Sequence, residues 1–595
     1  MKARWMVWSA FVSVAAAVLA ACGGADATPT SVPLAATPTA APRPTATTAP
    51  TAPPVAITAT ATVAAATATA RPLPSATPTA SAAAVPTPVS LTGKRGGTLN
   101  LRAISTPVAW DTFDARGSSD FHTLGGVMNN LIWPDPYRDG YTLVGDLAES
   151  WELSAQGQVI TFRLRQGARW HDGTPFTSAD VLYNFDRALK PRSPTMTFFL
   201  TSFAPIDKVE APDGSTVRVT LKQPSNAFLR QVATNPFLIY PSSAPFPEKL
   251  DQWKQTPVGT GPFKFKSITP ATKIEVSRND AYWKPGLPYL DGIVYTVISA
   301  ADPAAAAIRA GRIDAANLDT SVVDRLTPAV RQEIGFTAYP LVVSRAQLTF
   351  NKKAPLTDQR VRQAIGLAVD RQTILKTWLE DRGTALAPPL IPPELGGQWG
   401  ISTDVMKNRP GFRTDKTADV AAAKQLLAQA GIDPAKTTIK ITGLTSQVQF
   451  PTVVERNLAD LGFATKLEVR DPGSGNDILF RGEFDIEADL GNPAFDDPAD
   501  YLNPWIVTGG SKNYGKWSDP ALDALLADQD KELDFAKRKD LLTRVQQMVL
   551  DQSVISPVVI RQSASGHLPW VKNYPTKLPF LFSSFFRWEQ VYLDR

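Results

Sequence analysis

A group of acidic residues between positions 485 and 500 is the first feature of the sequence that could do chemistry. Its members are Asp485, Glu487, Asp489, Asp496, Asp497 and Asp500. Two opposed carboxylates can hydrolyse a glycoside, and several acids in one loop can bind Ca²⁺. Residues 484–489, however, alternate between apolar and acidic side chains, which predicts a strand with its acids on one face. Asp496 and Asp497 precede Pro498, a pattern typical of a cap and first-turn proline that open a helix.

Other catalytic or metal-binding groups are sparse. His122, His171 and His567 are far apart, and only His171 has a potential second ligand beside it, Asp172. A His-Asp pair in a Trp-His-Asp-Gly-Thr turn is more typical of a turn hydrogen bond than of a metal site. Nucleophile-elbow, phosphate-loop and zinc-protease motifs are absent from the sequence. We expect no enzyme, no metal and no cofactor, and the alternative is a surface hydrolase that uses Asp485, Glu487, Asp489, Asp496 or Asp497.

The single cysteine, Cys22, follows an export signal. Lys2 and Arg4 precede an apolar run at 6–19, which is too short for a permanent membrane helix of ~20 residues. The Leu-Ala-Ala-Cys sequence that ends at Cys22 resembles the lipobox of bacterial lipoproteins. This resemblance implies that residues 1–21 are removed and that Cys22 is diacylated as the first mature residue. The alternative is a signal cleaved after an Ala-x-Ala site, with an incidental cysteine.

Residues 23–92 have the composition of a disordered tether. They contain 17 Thr and 13 Pro, no aromatic residue and three charges. Such a segment cannot bury enough apolar surface to offset the entropy that ordering would cost. We predict a lipid-anchored tether over 22–94 that reaches at most about 200 Å at ~3.1 Å per residue. It could carry O-linked sugar or be unmodified.

About 500 residues remain for a folded body, which at ~150 residues per domain is room for two or three domains. The chain has a net charge of +5, of which Lys2 and Arg4 supply +2 and the tether +1, so the body carries about +2. We therefore expect no nucleic-acid partner. Strands are predicted at 159–165, 216–222, 293–298 and 439–441, and helices from Thr177-Asp180, Asp302-Pro303 and Asp519-Pro520 and over 357–377 and 419–430. This mixture predicts α/β lobes with antiparallel parts.

A series of short motifs then follows in a fixed order along the body. They are Gly96-Gly97-Thr98-Leu99, Leu147-Ala148-Glu149-Ser150-Trp151, Trp170-His171-Asp172-Gly173-Thr174, Gly259-Thr260-Gly261-Pro262-Phe263, Arg278-Asn279-Asp280-Ala281-Tyr282-Trp283, Asn351-Lys352-Lys353-Ala354-Pro355-Leu356 and Asn513-Tyr514-Gly515-Lys516-Trp517. The series resembles the extracytoplasmic solute-binding proteins of ABC importers, in the oligopeptide, dipeptide and nickel-binding family, family 5.

The resemblance implies an α/β fold of the periplasmic-binding-protein type, class II, in which two lobes close on a cleft and an additional domain is inserted. The implied boundaries are 95–147, 256–344 and 563–595 for the first lobe, 148–255 for the inserted domain and 345–562 for the second lobe. It also implies an extracytoplasmic, lipid-anchored monomer that captures a peptide or related polar solute and delivers it to an ABC permease. A sensory or structural surface protein of the same fold is a further alternative.

One position of the family's peptide-binding site differs in this sequence. In peptide-binding members of the family, a carboxylate in the loop after a Phe-Asp strand pairs with the α-amino group of the ligand. An ungapped count places that carboxylate at Ala494 and the preceding aromatic at Gly491. A charge-assisted pair is worth about 1.5–3 kcal/mol, so its loss would weaken binding of a free amine by one to two decades. Asp496 or Asp497 could substitute, which keeps peptides beside oligosaccharides, opines and other polar metabolites.

Other ligand-binding candidates are implied by position. Arg116-Gly117-Ser118 corresponds to a strand-like peptide contact, where Arg116 would suit a carboxylate, phosphate or sugar hydroxyl, or else is a solvated surface charge. The remaining candidates are Asn492 and Phe495 in the loop around Ala494, and the aromatic residues Phe199, Phe203, Trp399 and Trp505. Each aromatic residue could equally belong to a core.

Overall fold

The computed structural model describes residues 85–107, 110–112, 124–154, 156–190, 203–234, 237–243, 256–318, 320–470, 478–479, 481–491, 497–577 and 587–595. All of them belong to one compact unit, 77–595. The predicted signal peptide, Cys22 and most of the predicted tether lie outside the described residues. In the part of the chain that is described, no helix has the length and apolar character needed to cross a membrane.

The body alternates strands and helices as the sequence predicts. The strands are β1 (Thr98–Ala103), β2 (Ile132–Pro134), β3 (Leu143–Gly145), β4 (Ala148–Leu153), β5 (Val159–Leu164), β6 (Ile206–Asp213), β7 (Thr216–Leu221), β8 (Phe263–Thr269), β9 (Lys273–Arg278), β10 (Gly292–Val297), β11 (Ala315–Leu318), β12 (Thr337–Phe350), β13 (Gly383–Thr384), β14 (Thr438–Leu444), β15 (Ala464–Arg470), β16 (Ile486–Gly491), β17 (Ile555–His567), β18 (Val571–Lys572) and β19 (Tyr592–Leu593). The helices are α1 (Ser178–Leu189), α2 (Asn226–Val232), α3 (Ala301–Arg309), α4 (Thr320–Arg325), α5 (Pro328–Glu333), α6 (Gln359–Ala368), α7 (Arg371–Leu379), α8 (Thr403–Met406), α9 (Thr417–Gln429), α10 (Gln449–Asp460), α11 (Pro498–Tyr501), α12 (Asn503–Ile506), α13 (Pro520–Lys531) and α14 (Phe535–Gln552).

An eleven-stranded mixed sheet holds the body together. Its order is β15-β14-β16-β12-β17-β11-β1-β10-β9-β8, with β13 paired to β17. The long strands β12 and β17 are antiparallel along most of their length. One end of β17 pairs with β11, and the opposite half of β12 pairs with β16. These two strands therefore pass from one half of the sheet into the other.

Strand direction places two sets of carboxyl ends at this passage. β1, β10 and β11 run parallel to one another. Because β11 is antiparallel to β17 and β17 is antiparallel to β12, this group runs in the same direction as β12. β14, β15 and β16 are also mutually parallel, but they run against β12. The two parallel groups therefore point their carboxyl ends toward the middle of β12, which has a register shift between Val342 and Ser344. In open α/β sheets ligands bind outside the carboxyl ends of strands.

A separate four-stranded antiparallel sheet, β4-β5-β7-β6, carries its own apolar core with α1 and α2. The strands predicted at 159–165 and 216–222 are confirmed as β5 and β7, because their alternating side chains bury one face. The predicted helix start at Thr177 is also confirmed. Asp180 Oδ2 accepts the Thr177 amide at 3.0 Å, which is the return bond of a capping box.

Two predicted helices differ from the structure in their limits. Asp302 is not a cap, because α3 begins at Ala301 after the cap residue Ala300. The helix predicted over 357–377 is divided into α6 and α7. Asp370 causes the division, since its side chain accepts the Thr373 amide at 2.9 Å and caps a new helix.

The last residues before β1 lie against the body. The Val89 amide donates to Asp135 Oδ2 at 2.8 Å, and the Gln590 side chain bonds both the Leu91 amide at 2.6 Å and the Val89 carbonyl at 2.9 Å. The Tyr289 hydroxyl donates to the Leu91 carbonyl at 2.8 Å. The segment predicted as a tether to residue 94 therefore includes residues bound to the body, because their backbone groups find fixed partners there.

Candidate functional site

The candidate site is the junction at the middle of β12 and β17, where the carboxyl ends of the two groups of parallel strands meet. Gly491, the last residue of β16, lies opposite Arg345 of β12. Leu318, the last residue of β11, lies opposite Ala564 of β17. Eight predicted ligand-binding residues lie outside the described residues, namely Arg116, Gly117, Ser118, Phe199, Asn492, Ala494, Phe495 and Asp496. The described residues at this junction surround Gly491 and Asp497, which border the predicted loop.

Arg345 lies in β12 at the junction, opposite Gly491 of β16. Its guanidinium is fully buried and donates to the Gln347 side chain and to the carbonyls of Pro389 and Tyr501. All three acceptors are neutral oxygens, and burial lowers the pKa of Arg345 to about 10. No single motif of the sequence predicts a role for this residue. Its signal is the alternation of Arg345, Gln347 and Thr349 with apolar neighbours along β12, which predicts a polar face.

Gly491 stands where the resemblance implies an aromatic side chain. A Cβ added there would lie 3.5 Å from the Trp505 ring and 3.7 Å from Arg345 Nη2. Trp505 is buried, and its indole Nε1 donates to Asp489 Oδ2 at 2.7 Å. Of the predicted aromatic residues that the structure describes, Trp505 is therefore the one that lies against Gly491. Its ring lies against the face on which a side chain at position 491 would stand.

The acids of β16 share one face of the strand, as the alternation predicts. Asp489 lies opposite Gln347 and Glu487 opposite Thr349. Glu487 is fully buried, accepts the Thr442 hydroxyl and forms an ion pair with Arg470. Burial, with a smaller effect of Asp489, raises the pKa of Glu487 to about 7. Each acid is thus held by its own partner, which gives no support to the hydrolase alternative.

Asp497 closes the predicted loop and has two structural bonds. Its Oδ1 accepts the Ala499 amide at 3.0 Å and caps α11, which confirms the predicted cap. Its Oδ2 lies 2.6 Å from Arg538 Nη2, and the two side chains are 1% and 7% exposed. The Asp497 carboxylate, predicted as a possible substitute for the missing amine-binding acid, is therefore already paired with Arg538 in the interior.

Two other predicted pocket residues belong to cores. Phe203 is fully buried and packs on Phe185 and Phe237, with ring centroids 6.2 Å and 5.1 Å away. Trp399 is buried between Phe535, at 4.8 Å, and the Arg538 guanidinium, at 4.7 Å. For both residues the alternative of a core position holds, since their ring faces are occupied by other side chains.

The His171 turn is a hydrogen-bonded turn, as predicted. His171 Nε2 lies 3.0 Å from the Gly261 carbonyl, and the Gly259 amide donates to Nδ1 at 3.2 Å. Burial lowers the pKa of His171 to about 4, so it is neutral at pH 7. The Asp172 side chain accepts the Thr174 amide at 2.9 Å within the turn. Among the described residues, no group of three or more His, Cys, Asp or Glu side chains could hold a metal ion.

Comparison with known proteins gives one family. Residues 142–513 match the family described as "Bacterial extracellular solute-binding proteins, family 5 Middle". The periplasmic oligopeptide-binding protein OppA of Salmonella typhimurium is 28% identical over 500 residues, which cover 78% of this chain and 88% of that protein. Heme-binding protein A of Haemophilus influenzae is 28% identical over 504 residues, 77% of this chain and 86% of that protein.

Solved structures share the fold. The binding protein AgaA from A. tumefaciens R10, in complex with agropinic acid, superposes with a TM-score of 0.69 at 27% identity, over 84% of this chain and 99% of that one. DppA from Helicobacter pylori, in complex with the peptide STSA, superposes with a TM-score of 0.68 at 24% identity, with the same coverage. The two-lobed, class II fold with mixed sheets is the fold of both structures.

Proposed function

The chain belongs to the bacterial extracellular solute-binding proteins of family 5, the solute-binding receptors of ABC importers, and on this premise we propose that it captures its solute at the β12–β17 junction. The observation that carries this proposal is the meeting of the two groups of carboxyl ends at that junction. The family consists of binding proteins and not of enzymes. Ligand contacts made only in the closed state supply the free energy that closes the lobes.

We propose the domain boundaries that the resemblance implies. The first lobe is 95–147, 256–344 and 563–595, the inserted domain 148–255, and the second lobe 345–562. Two features support these limits. β12 pairs with β17 on both sides of Ser344, where its register shifts, and pairs with β16 only from Arg345 onward. The four strands of the separate sheet all fall within 148–255.

We propose that the solute is recognised without an ammonium–carboxylate pair at the expected place. Ala494 carries no charge, and Asp497 is already paired with Arg538. Peptides are the first class of solute to test, since the similar protein OppA is named an oligopeptide-binding protein. Opine-type acids are the second class, because AgaA, 27% identical, is bound to agropinic acid. Arg116 would suit the carboxylate of such an acid.

The test of the receptor is capture followed by closure. Mass spectrometry of what co-purifies with the full chain identifies a solute, which is then added back to solute-free protein. At 100 times Kd it should stabilise the fold by ~2.7 kcal/mol and raise the melting temperature. It should also reduce the radius of gyration in X-ray scattering, because the lobes move as rigid bodies. Tight binding with unchanged scattering would contradict a hinged receptor.

The second prediction concerns the amine. The peptide Ser-Thr-Ser-Ala and its N-acetylated form should bind the native protein with affinities less than tenfold apart, a difference under ~1.4 kcal/mol. Ala494→Asp should create a preference for the free amine, provided that the new carboxylate is not buried without a partner. Arg116→Ala should lower the affinity for agropinic acid more than the affinity for the peptide. Titration calorimetry measures all three, and a strong native preference for the free amine would assign the role to Asp496 or another acid.

We also propose that the protein is extracytoplasmic and held to the membrane by lipid on Cys22, as a monomer. Support comes from the signal-like start of the chain and from the position of its single cysteine directly after the small-residue site. The hydrogen bonds of residues 87–92 to the body set the place where the chain leaves it. The anchored receptor would then meet its permease at the membrane surface.

A further inference from the structure

Two helices that are distant in sequence meet end to end. Asn226, the first residue of α2, donates its side-chain amide to the carbonyls of Asp530, at 2.8 Å, and Glu532, at 2.6 Å. These carbonyls lie at the carboxyl end of α13 and have no partner within that helix. In return Asp530 Oδ1 accepts the Ala227 amide at 3.0 Å. Each segment thus satisfies backbone groups of the other.

The contact extends beyond these three bonds. A Cβ at Gly157, in the turn between β4 and β5, would lie 3.5 Å from Leu533 Cδ1, so Leu533 packs on that turn. Arg230 of α2 donates to the Tyr141 carbonyl, and the Tyr141 hydroxyl donates to the Gly396 carbonyl. Two separate places therefore join the region of α2 to residues beyond 345.

Asp530 lies beside a set of contacts that also includes Asp497 and Arg538. Burial and the nearby Asp497 raise the pKa of Asp530, while the Ser225 side chain, the Ala227 amide and Arg538 lower it. Arg538 Nε donates to the carbonyl of Gln529, the residue before Asp530, at 3.2 Å. The same guanidinium pairs with Asp497, the residue that follows the predicted ligand loop. A series of contacts therefore runs from Asp497 through Arg538 to Gln529, and its neighbour Asp530 makes the α2 contact.

We propose that the reciprocal contact of Asn226 and Asp530 is a latch between the inserted domain and the second lobe, and that it favours the arrangement in which these two bodies touch, hereafter the closed arrangement. The inference rests on the proposed function, since it takes residues 148–255 and 345–562 as separate bodies. Bonds present in only one arrangement shift the population toward it by their own free energy. The latch acts before any solute binds, so it sets how often the empty receptor closes.

The experiment measures lobe separation without solute. The full-length chain with Cys22→Ser has no other thiol, so cysteines at Lys208 and Ala536, both exposed, can carry two spin labels. Pulsed electron spin resonance then gives the distance distribution. Asn226→Ala and Asp530→Ala should each increase the ratio of long to short distances by roughly five- to tenfold, where tenfold corresponds to ~1.4 kcal/mol. Asp530→Asn keeps an acceptor oxygen and should lie between Asp530→Ala and the parent.

The matched control is Asp528→Ala, on the same helix and exposed, which should leave the distribution unchanged. The latch is supported only if both Asn226→Ala and Asp530→Ala shift the distribution and the control does not. It is overturned if either variant matches the parent. The proposed function is tested apart from this, by adding the co-purified solute to the labelled parent, which should then sample only short distances. If the solute leaves the distances of the labelled parent unchanged while both variants shift them, the result contradicts the proposed receptor function and not the latch.

Discussion

Asp497→Ala should lower the free energy of unfolding by about 3–5 kcal/mol, because it leaves the Arg538 guanidinium charged and buried without its partner. Both side chains are nearly inaccessible, 1% exposed for Asp497 and 7% for Arg538. The substitution also removes the cap of α11, where Asp497 accepts the Ala499 amide. Urea unfolding, followed by tryptophan fluorescence, should show a lower midpoint with an unchanged slope.

Two variants separate charge from packing in this experiment. Asp497→Ala combined with Arg538→Met removes both buried charges and should recover part of the lost stability, since a buried pair is often replaceable by apolar side chains. Asp528→Ala, exposed on α13, should change the free energy of unfolding by no more than ~0.5 kcal/mol. If Asp497→Ala were as stable as the parent and had lost solute affinity, Asp497 would be a ligand residue after all.

Cys22→Ser should convert a membrane-bound protein into one that is released or left unprocessed. Two acyl chains, each contributing ~0.8 kcal/mol per buried CH₂, hold a protein firmly on a bilayer, and serine cannot accept the first of them. Detergent phase partitioning and labelling with radioactive palmitate measure the change. The native chain should enter the detergent phase and carry label, and the variant should do neither.

A thiol at another position is the matched control for anchoring. Gly24→Cys in the Cys22→Ser background keeps one cysteine two residues away and should not restore partitioning, because lipidation requires the cysteine directly after the cleavage site. A mature native protein that starts at any residue other than Cys22, or a Cys22→Ser chain that still enters detergent, would contradict the lipoprotein assignment.

Features that depend on neighbouring residues could be predicted from the sequence. The alternation of 159–165 predicts β5 because apolar side chains two residues apart reach the same face of a strand. Asp519 before Pro520 predicts the start of α13, and its side chain does accept the Ala521 amide at 2.9 Å. The turn at Asp172 is likewise local, since the Asp172 side chain accepts the Thr174 amide at 2.9 Å. The family resemblance could also be seen in the sequence, since each of its motifs is a short run of consecutive residues.

The tertiary structure decided which distant groups meet. Asp497 as a helix cap is a local property, but its ion pair with Arg538, 41 residues later, is not. Asn226 and Asp530 are more than 300 residues apart, and no spacing in the sequence joins them. The same holds for Thr337 of β12 beside His567 of β17. A polar side chain can stabilise the fold or bind a solute, depending on its burial and on the partners near it. The packing of remote segments determines both the burial and the partners.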